Sequence, residues 1–372
     1  MSGLMTKKHK QLPIHERHRS LGARFGVFGE WEVPLYYSSV LDEHEAVRSA
    51  VGIFDISHMG EIFFEGKGAR ELINQLITNN ANKLTDGKAI YSPMCNQSGG
   101  VVDDLIVYQL RDDKFLLIVN AGNVETDFSW FLEHNATDCN IVNKTREYGL
   151  LAIQGPMSLQ VMSKILSEPI HQMKYYSILP ACSRWDGAWI ARTGYTGELG
   201  YELMVKSEDL DSAYQEIMEV GKQFGIKPVG FGARDTLRLE AAMLLCGQDM
   251  DQATTPLEAG LDRFVDLGKD FIGRSALLTQ QSSGIKQKLI GFEMIDSGIA
   301  RHGYGVQKNG TSIGRVTSGT VSPSLRKNIG LAYVSVDQAK IDNPIEIVIR
   351  QNLSKAKIVQ IPFYERNRGV SK

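Results

Sequence analysis

Two adjacent carboxylates stand inside an apolar run, Gly99-Gly100-Val101-Val102-Asp103-Asp104-Leu105-Ile106-Val107-Tyr108. A segment this apolar reads as a strand buried on at least one face. An acid there costs folding free energy unless it meets a partner or a polar cleft. Strand side chains alternate between faces, so Asp103 and Asp104 are expected to point opposite ways and not to form one acid–base dyad. The face of Asp104 is expected to carry Val102, Ile106 and Tyr108. One carboxylate and one phenol on an apolar wall suit a flat heteroaromatic ligand with few polar edges. The alternative is a strand-end carboxylate that only caps the turn after Gly99-Gly100.

A second segment is Arg192-Thr193-Gly194-Tyr195-Thr196-Gly197-Glu198-Leu199-Gly200-Tyr201-Glu202, between the apolar runs 188–191 and 203–205. Its G-x-x-G-x-x-G spacing, its lack of a phosphate-binding lysine and the strand that follows exclude a nucleotide loop. A glycine-rich hairpin turn accounts for the glycines. It does not require two tyrosines and Glu202. A carboxylate can accept two parallel N–H bonds from an amino-heterocycle, and a tyrosine can stack beside it. A third segment, Gly230-Phe231-Gly232-Ala233-Arg234-Asp235-Thr236-Leu237-Arg238-Leu239-Glu240, places charges of both signs on an apolar helix, with Arg234 on its first turn. That pattern predicts a partly buried ion-pair network, part of which reaches ligand. His58 reads as a hydrogen-bonded structural histidine. Tyr175-Tyr176 fits either core or pocket.

The elements that would hold these residues are legible from periodicity. Residues 68–78 put Leu72, Ile73, Leu76 and Ile77 on one helical face. Strands are expected at 101–109 and 115–120, joined through Arg111-Asp112-Asp113-Lys114. A helix over 124–134 turns Phe128, Phe131 and Leu132 inward. Ser207 is the expected N-cap of a helix that stops near Gly225. Further helices are expected at 233–245 and after Thr254-Thr255-Pro256. The stretch Gln280-Gln281-Ser282-Ser283-Gly284 resembles a linker. Beyond it strands alternate, with an Asn309-Gly310 hairpin of type I′ character, so a small barrel-like β domain closes the chain.

The chain has 372 residues, enough for two or three domains with real cores, and a net charge of -2, which offers no bulk attraction to nucleic acid or an anionic membrane. No apolar stretch approaches the ~18 residues of a membrane span. The basic start, Met1 to Lys10, reads as a disordered tail, with a clipped mitochondrial presequence as the alternative. The four cysteines, Cys95, Cys139, Cys182 and Cys246, are scattered. They predict reduced thiols, no disulfide framework and no metal site. A cytoplasmic location follows, or the mitochondrial matrix if the source is eukaryotic.

Taken in order, these segments resemble the glycine cleavage system T-protein, the tetrahydrofolate-dependent aminomethyltransferase. The resemblance covers about residues 12–366 and includes Pro34-Leu35-Tyr36-Tyr37, Asp55-Ile56-Ser57-His58-Met59-Gly60, Lys88-Ala89-Ile90-Tyr91-Ser92, Gly99 to Leu105, Gln154-Gly155-Pro156, Arg192 to Glu198, Gly232-Ala233-Arg234-Asp235, Arg238-Leu239-Glu240, Gly247-Gln248-Asp249-Met250 and Pro362-Phe363-Tyr364. It implies an α+β, three-domain cloverleaf-like folate-binding fold with a C-terminal small β-barrel. Residues 12–280 would form the folate-binding region, with 53–147 inserted, and 285–366 the barrel. It implies Asp104 as the catalytic carboxylate. Met59, Tyr91, Tyr108, Asn120, Tyr176 and Tyr195 would line the folate cavity, Glu202 and Arg234 would bind the pterin edge, and Arg366 or Arg368 would approach from the tail. Met243 stands where the family can carry a folate-contacting tyrosine. Tetrahydrofolate would be co-substrate, without metal, and lipoylated H-protein the partner, with no nucleic acid or membrane. On this footing Asp103→Asn is expected to act on stability and not on chemistry. The alternatives are a folate-dependent demethylase on the same scaffold and a non-enzymatic folate-binding protein. The latter carries a Lys-Gly-Cys-Tyr type motif absent around Cys246.

Overall fold

The computed structural model describes residues 9–366. The expected tail Met1 to Lys8 and Arg368 lie outside the described residues. Lys10 belongs to a short strand, Lys10–Gln11.

A six-stranded sheet runs in the order Ile178–Pro180, Trp189–Ala191, Gly200–Lys206, Tyr148–Gln154, Val51–Asp55 and Ile226–Pro228. A five-stranded sheet runs Lys88–Cys95, Val101–Arg111, Lys114–Val119, Gly60–Glu65 and Asn140–Asn143. All of the second sheet lies in sequence between two partners of the first, because Val51–Asp55 pairs antiparallel with Tyr148–Gln154. The chain therefore leaves one sheet, builds the other and returns. Each sheet packs helices on its outer face: Leu210–Gly221 over the six-stranded sheet, and Ala69–Leu76 with Val124–Glu133 over the five-stranded one. The inner faces meet in a shared apolar layer that includes Phe54, Phe63, Tyr108, Leu116, Leu150 and Met204. Burying that layer from both sheets is what holds them face to face.

The C-terminal region is a closed barrel of six strands, Gln287–Met294, Gly305–Lys308, Thr311–Ser322, Lys327–Ser335, Pro344–Ile349 and Asn352–Val359. Closure leaves no free edge. The Asn309-Gly310 turn has φ of 50° and 78°, the paired positive values that a type I′ hairpin requires. The mixed helix–strand character and the terminal barrel agree with the expectation from sequence.

Several elements differ from expectation for local reasons. The third-segment helix is Phe231–Glu240 and stops short of Leu245, because buried Asp249 accepts the Leu245 N–H and the Tyr195 hydroxyl donates to Leu244 O, pulling residues 243–245 into a turn. Ser207 is not an N-cap. Its hydroxyl donates to Arg146 O, and the helix begins at Leu210. Thr255 and Glu258 make the reciprocal bonds of a capping box, but only turns follow before Gly260 at φ 72°. The linker-like stretch instead ends a helix, Arg274–Ser283, whose Thr279, Ser282 and Ser283 hydroxyls bond back to carbonyls within the helix. Leu132 is exposed rather than inward.

A candidate folate cavity between the sheets

The strand Val101–Arg111 pairs with Lys88–Cys95 from Val101 to Gln109 and with Lys114–Val119 only from Ile106 onward, so the segment of Asp103 and Asp104 is paired on one side. Met94 pairs with Asp103 but Cys95 pairs with Val101, which leaves Val102 as an extra, bulged residue. The bulge breaks the alternation. Val102 joins the core of the five-stranded sheet, while Asp104, Ile106 and Tyr108 face a cavity. Gly100 makes the approach to this strand possible, since a Cβ there would stand 1.9 Å from Gln252 O.

The cavity has a volume of about 220 Å³ and lies between the two sheets. Its floor is apolar: Ile56, Leu116, Ile118, Leu150, Trp189 and Met204. Met59, Tyr91, Asp104, Tyr108, Asn120, Tyr176, Tyr195, Glu202 and Arg234 all line it, so nine of the ten site residues expected from sequence come together. Arg366 does not line it. Its Nη1 lies 3.4 Å from the Tyr175 hydroxyl, outside the cavity wall. Met243, set by the resemblance at a ligand-contacting position, also lines the cavity; the sequence reading did not find the apolar floor, Ala242, Leu244, Leu245, Arg263 or Phe264 among the lining residues. Floor residues carry no chemical signal of their own. The turn at 243–245 is held by Asp249 and Tyr195, which reach it from outside the helix.

Asp104 is surrounded by protein, and the surface it retains belongs to the cavity wall. Burial first, and the neighbouring Asp103 charge second, raise its carboxyl to about 7, while Tyr91 and the Asn120 amide pull the other way. Asn120 Nδ2 lies 2.9 Å from Asp104 Oδ1 and 2.9 Å from Asp103 Oδ1, so one amide spans both acids. Asp103, Asp104 and Cys246 bring their side-chain polar atoms within 4.8 Å of one another. Adjacent strand positions thus diverge, as expected, yet remain electrostatically joined. Besides accepting hydrogen bonds from Asn120 and Asn123, Asp103 bears electrostatically on Asp104.

At the other side of the cavity, Thr193 donates to Glu202 and sits 3.0 Å from the Tyr108 hydroxyl. Burial raises the Glu202 carboxyl, opposed by Thr193 and by Arg234. Arg234 stacks over the Tyr195 ring at 4.7 Å, and burial lowers its proton affinity. Tyr195 is anchored by its 2.6 Å hydrogen bond to Leu244 O. Tyr176 sits at φ 56°, a left-handed conformation uncommon for an aromatic residue, and is pinned by Tyr176 N–H to Arg192 O and Ala89 N–H to Tyr176 O. Tyr91 packs edge-on against Phe264. His58 is buried between the Phe28 and Phe231 rings and, as expected of a structural histidine, keeps a hydrogen bond to the Ile56 backbone, while Nδ1 has no partner.

The expected ion-pair network lies behind this wall. Arg238 is buried and donates to Asp249 at 2.5 Å and to the barrel's Ser318 at 3.0 Å. Glu240 takes the barrel's Ser322 and Ser324 hydroxyls and the Arg48 guanidinium, which also reaches Glu198. Burial would raise the Glu240 carboxyl, but His44, Ser322 and Arg48 together hold it at about 2. The same helix thus presents Arg234 to the cavity and fastens the barrel.

Two sheets enclosing a largely apolar cavity with a buried aspartate, phenols and a carboxylate–guanidinium edge define a multi-lobed α+β protein with an amphipathic internal cavity. Comparison with known proteins narrows the class. The family model described as GCVT N-terminal domain matches residues 14–269, and the Glycine cleavage T-protein C-terminal barrel domain matches residues 287–365. The chain is 44% identical to an aminomethyltransferase of Halothermothrix orenii, covering 95% of this chain and 99% of the relative. It is 42% identical to that of Bacillus subtilis, covering 96% and 99%. The crystal structure of glycine cleavage system aminomethyltransferase T from Bartonella henselae superposes with a TM-score of 0.91 at 31% identity, covering 96% of this chain and 98% of that one. The chain belongs to the glycine cleavage T-protein family.

Proposed function

We propose that the cavity binds tetrahydrofolate beside Asp104 and that the second reactant is the aminomethyl group carried on the lipoyl arm of H-protein. Family membership supplies the activity: the chain is an aminomethyltransferase of the glycine cleavage system. The observation that carries the detailed reading is Asp104, a carboxylate set among apolar and phenolic side chains on the wall opposite the Glu202–Arg234 edge.

The aminomethyl carbon is bonded to sulfur and to nitrogen. Two bonds to that carbon form and two break: the folate N5 and N10 each bond to it, giving 5,10-methylenetetrahydrofolate, while ammonia and the lipoyl thiol leave with the two protons that the folate nitrogens lose. Positive charge develops on the carbon during transfer. An ionised Asp104 in a low-dielectric wall stabilises that charge and accepts a proton from the folate amine. Holding both reactants in line contributes up to about 7–11 kcal/mol in the best cases. Glu202 and Arg234 are placed to hydrogen-bond a pterin edge, with Met59, Tyr91, Tyr108, Asn120, Tyr176 and Tyr195 as the surrounding wall. Residues 12–280, with 53–147 inserted, form the folate-binding region, and 285–366 the barrel that braces it. Among the described residues no helix is long and apolar enough to cross a membrane, and action in the cytoplasm fits this reading.

The test is formation of methylenetetrahydrofolate from aminomethylated H-protein, set against a free methylated amine or sulfonium donor. Turnover with the protein-borne donor alone is expected. Turnover only with the free donor would make this a demethylase.

A further inference from the structure

Asp127 stands on the helix Val124–Glu133 with its side chain fully buried. Neither carboxylate oxygen meets a hydrogen-bond donor, yet the side chain stands within hydrogen-bonding reach of the Asp103 carboxylate. Its dominant neighbour is Asp103, with Asp104 further off. Asn123, one turn earlier, accepts the Asp127 N–H at 2.7 Å on its carbonyl, and its side chain donates to Asp103 at 2.7 Å. Residues four apart share a helix face, so Asn123 and Asp127 address the same carboxylate.

A carboxylate with no donors is a poor buried anion. Two carboxyl groups facing one another make a hydrogen bond only when one holds the proton. Asp103 is equipped for negative charge: it accepts the Asn120 backbone N–H at 3.1 Å, Asn120 Nδ2 at 2.9 Å and Asn123 Nδ2 at 2.7 Å. Asp127 has no such donors.

We propose that Asp127 is a positioning residue for the transfer reaction: as a neutral acid it donates its O–H to Asp103 and thereby limits the negative charge standing behind Asp104. Burial, then the Asp103 charge, pushes the Asp127 acid up to about 11, so it stays protonated through neutral pH. The other groups facing Asp104 are Tyr91 from the neighbouring strand, Asn120, Cys246, and Tyr176 and Tyr195 across the cavity. Burial raises the Cys246 thiol and both phenols, so all three are neutral near pH 7. Asp103 is then the main charge that acts on Asp104, and Asp127 sets it.

The proposal rests on Asp104 being the group that meets substrate, so its test has two arms. The first needs no turnover: infrared difference spectra of the resting full-length protein, wild type minus Asp127→Asn, at about pH 8, well above ordinary carboxyl values. A protonated-carboxyl carbonyl band lost in the variant is expected. Its absence means an ionised Asp127 and overturns the proposal. The second arm is the pH profile of kcat/KM. Asp127→Asn keeps a neutral donor, so the acidic limb stays in place. Asp127→Leu removes the donor and moves the limb to higher pH, by about half a unit or more. A downward shift in Asp127→Asn, or a lower kcat with an unmoved limb in Asp127→Leu, overturns the proposal. If Asp127→Leu does not fold, the infrared band and the Asn profile decide. Full turnover in Asp104→Asn would remove Asp104 from the chemistry while leaving the infrared result intact.

Discussion

Asp104 is the residue on which the chemistry turns, and its behaviour is set by what surrounds it. Asp104→Asn preserves shape and the contact to Asn120 but removes charge. It is expected to fold, to keep most folate affinity and to lose turnover by about 10²-fold or more. Isothermal titration against single-turnover rates separates the two. Because burial and Asp103 raise its carboxyl to about 7, kcat/KM should climb as pH rises through 7, where the anion forms. Asp103→Asn removes the charge that raises it, so the limb should move to lower pH. A limb unmoved in Asp103→Asn would show that the two acids are not coupled. This replaces the expectation that Asp103 matters for stability alone. Sequence placed Asp104 on a wall with Tyr108. It could not show that Asn120 bridges both acids, because that contact joins a strand to the residue just past the end of its neighbour.

At the scale of elements, the bulge at Val102 and the close approach at Gly100 aim the strand. Gly100→Ala forces a methyl against Gln252 O, and overpacking of this kind costs about 1–3 kcal/mol. Denaturant midpoints should fall accordingly, and an unchanged midpoint would mean that residues 251–254 yield freely. The bulge was invisible in sequence, since nothing in Val101-Val102 distinguishes a bulged valine from a paired one. The helix Phe231–Glu240 was legible as a charged helix, but its end was not. It is set by Asp249, which follows in sequence yet returns in space to hold Arg238 and Leu245.

Across the whole molecule, the barrel is tied to the rest through buried ions and hydroxyls. Asp249 accepts from Arg238, Thr317 and Ser318 at once. Asp249→Ala leaves the buried Arg238 guanidinium with only the half-exposed Asp235 as counter-charge, a loss that approaches the about 3–5 kcal/mol of a broken buried pair. Wild-type unfolding is expected to be a single calorimetric transition, and Asp249→Ala should split it into barrel and remainder. One sharp transition in the variant would show that apolar packing alone couples them. Glu240 adds a pH dependence. Its carboxyl is held down to about 2, so its share of stability is complete above the ordinary glutamate range and is lost as pH falls toward 2.

Periodicity and motif order by themselves determined the class of fold, the helices near 69–76, 124–133, 210–221 and 231–240, the strand of Asp104 with its neighbour, the barrel strands and the types of residue that meet at the cavity, because these depend on local alternation and on side-chain chemistry; the helices Val40–Ser49 and Arg274–Ser283 and the strands Val51–Asp55 and Tyr148–Gln154 were not read from it. The tertiary structure alone decided the apolar floor, the bulge that re-aims Asp104, the early end of the Arg234 helix, the absence of Arg366 from the cavity wall and the burial of Asp127 behind Asp103. Each of these is a contact between segments far apart in the chain or on different elements. Such contacts depend on how two sheets and a barrel come to share one interior, and no short stretch of sequence carries that information.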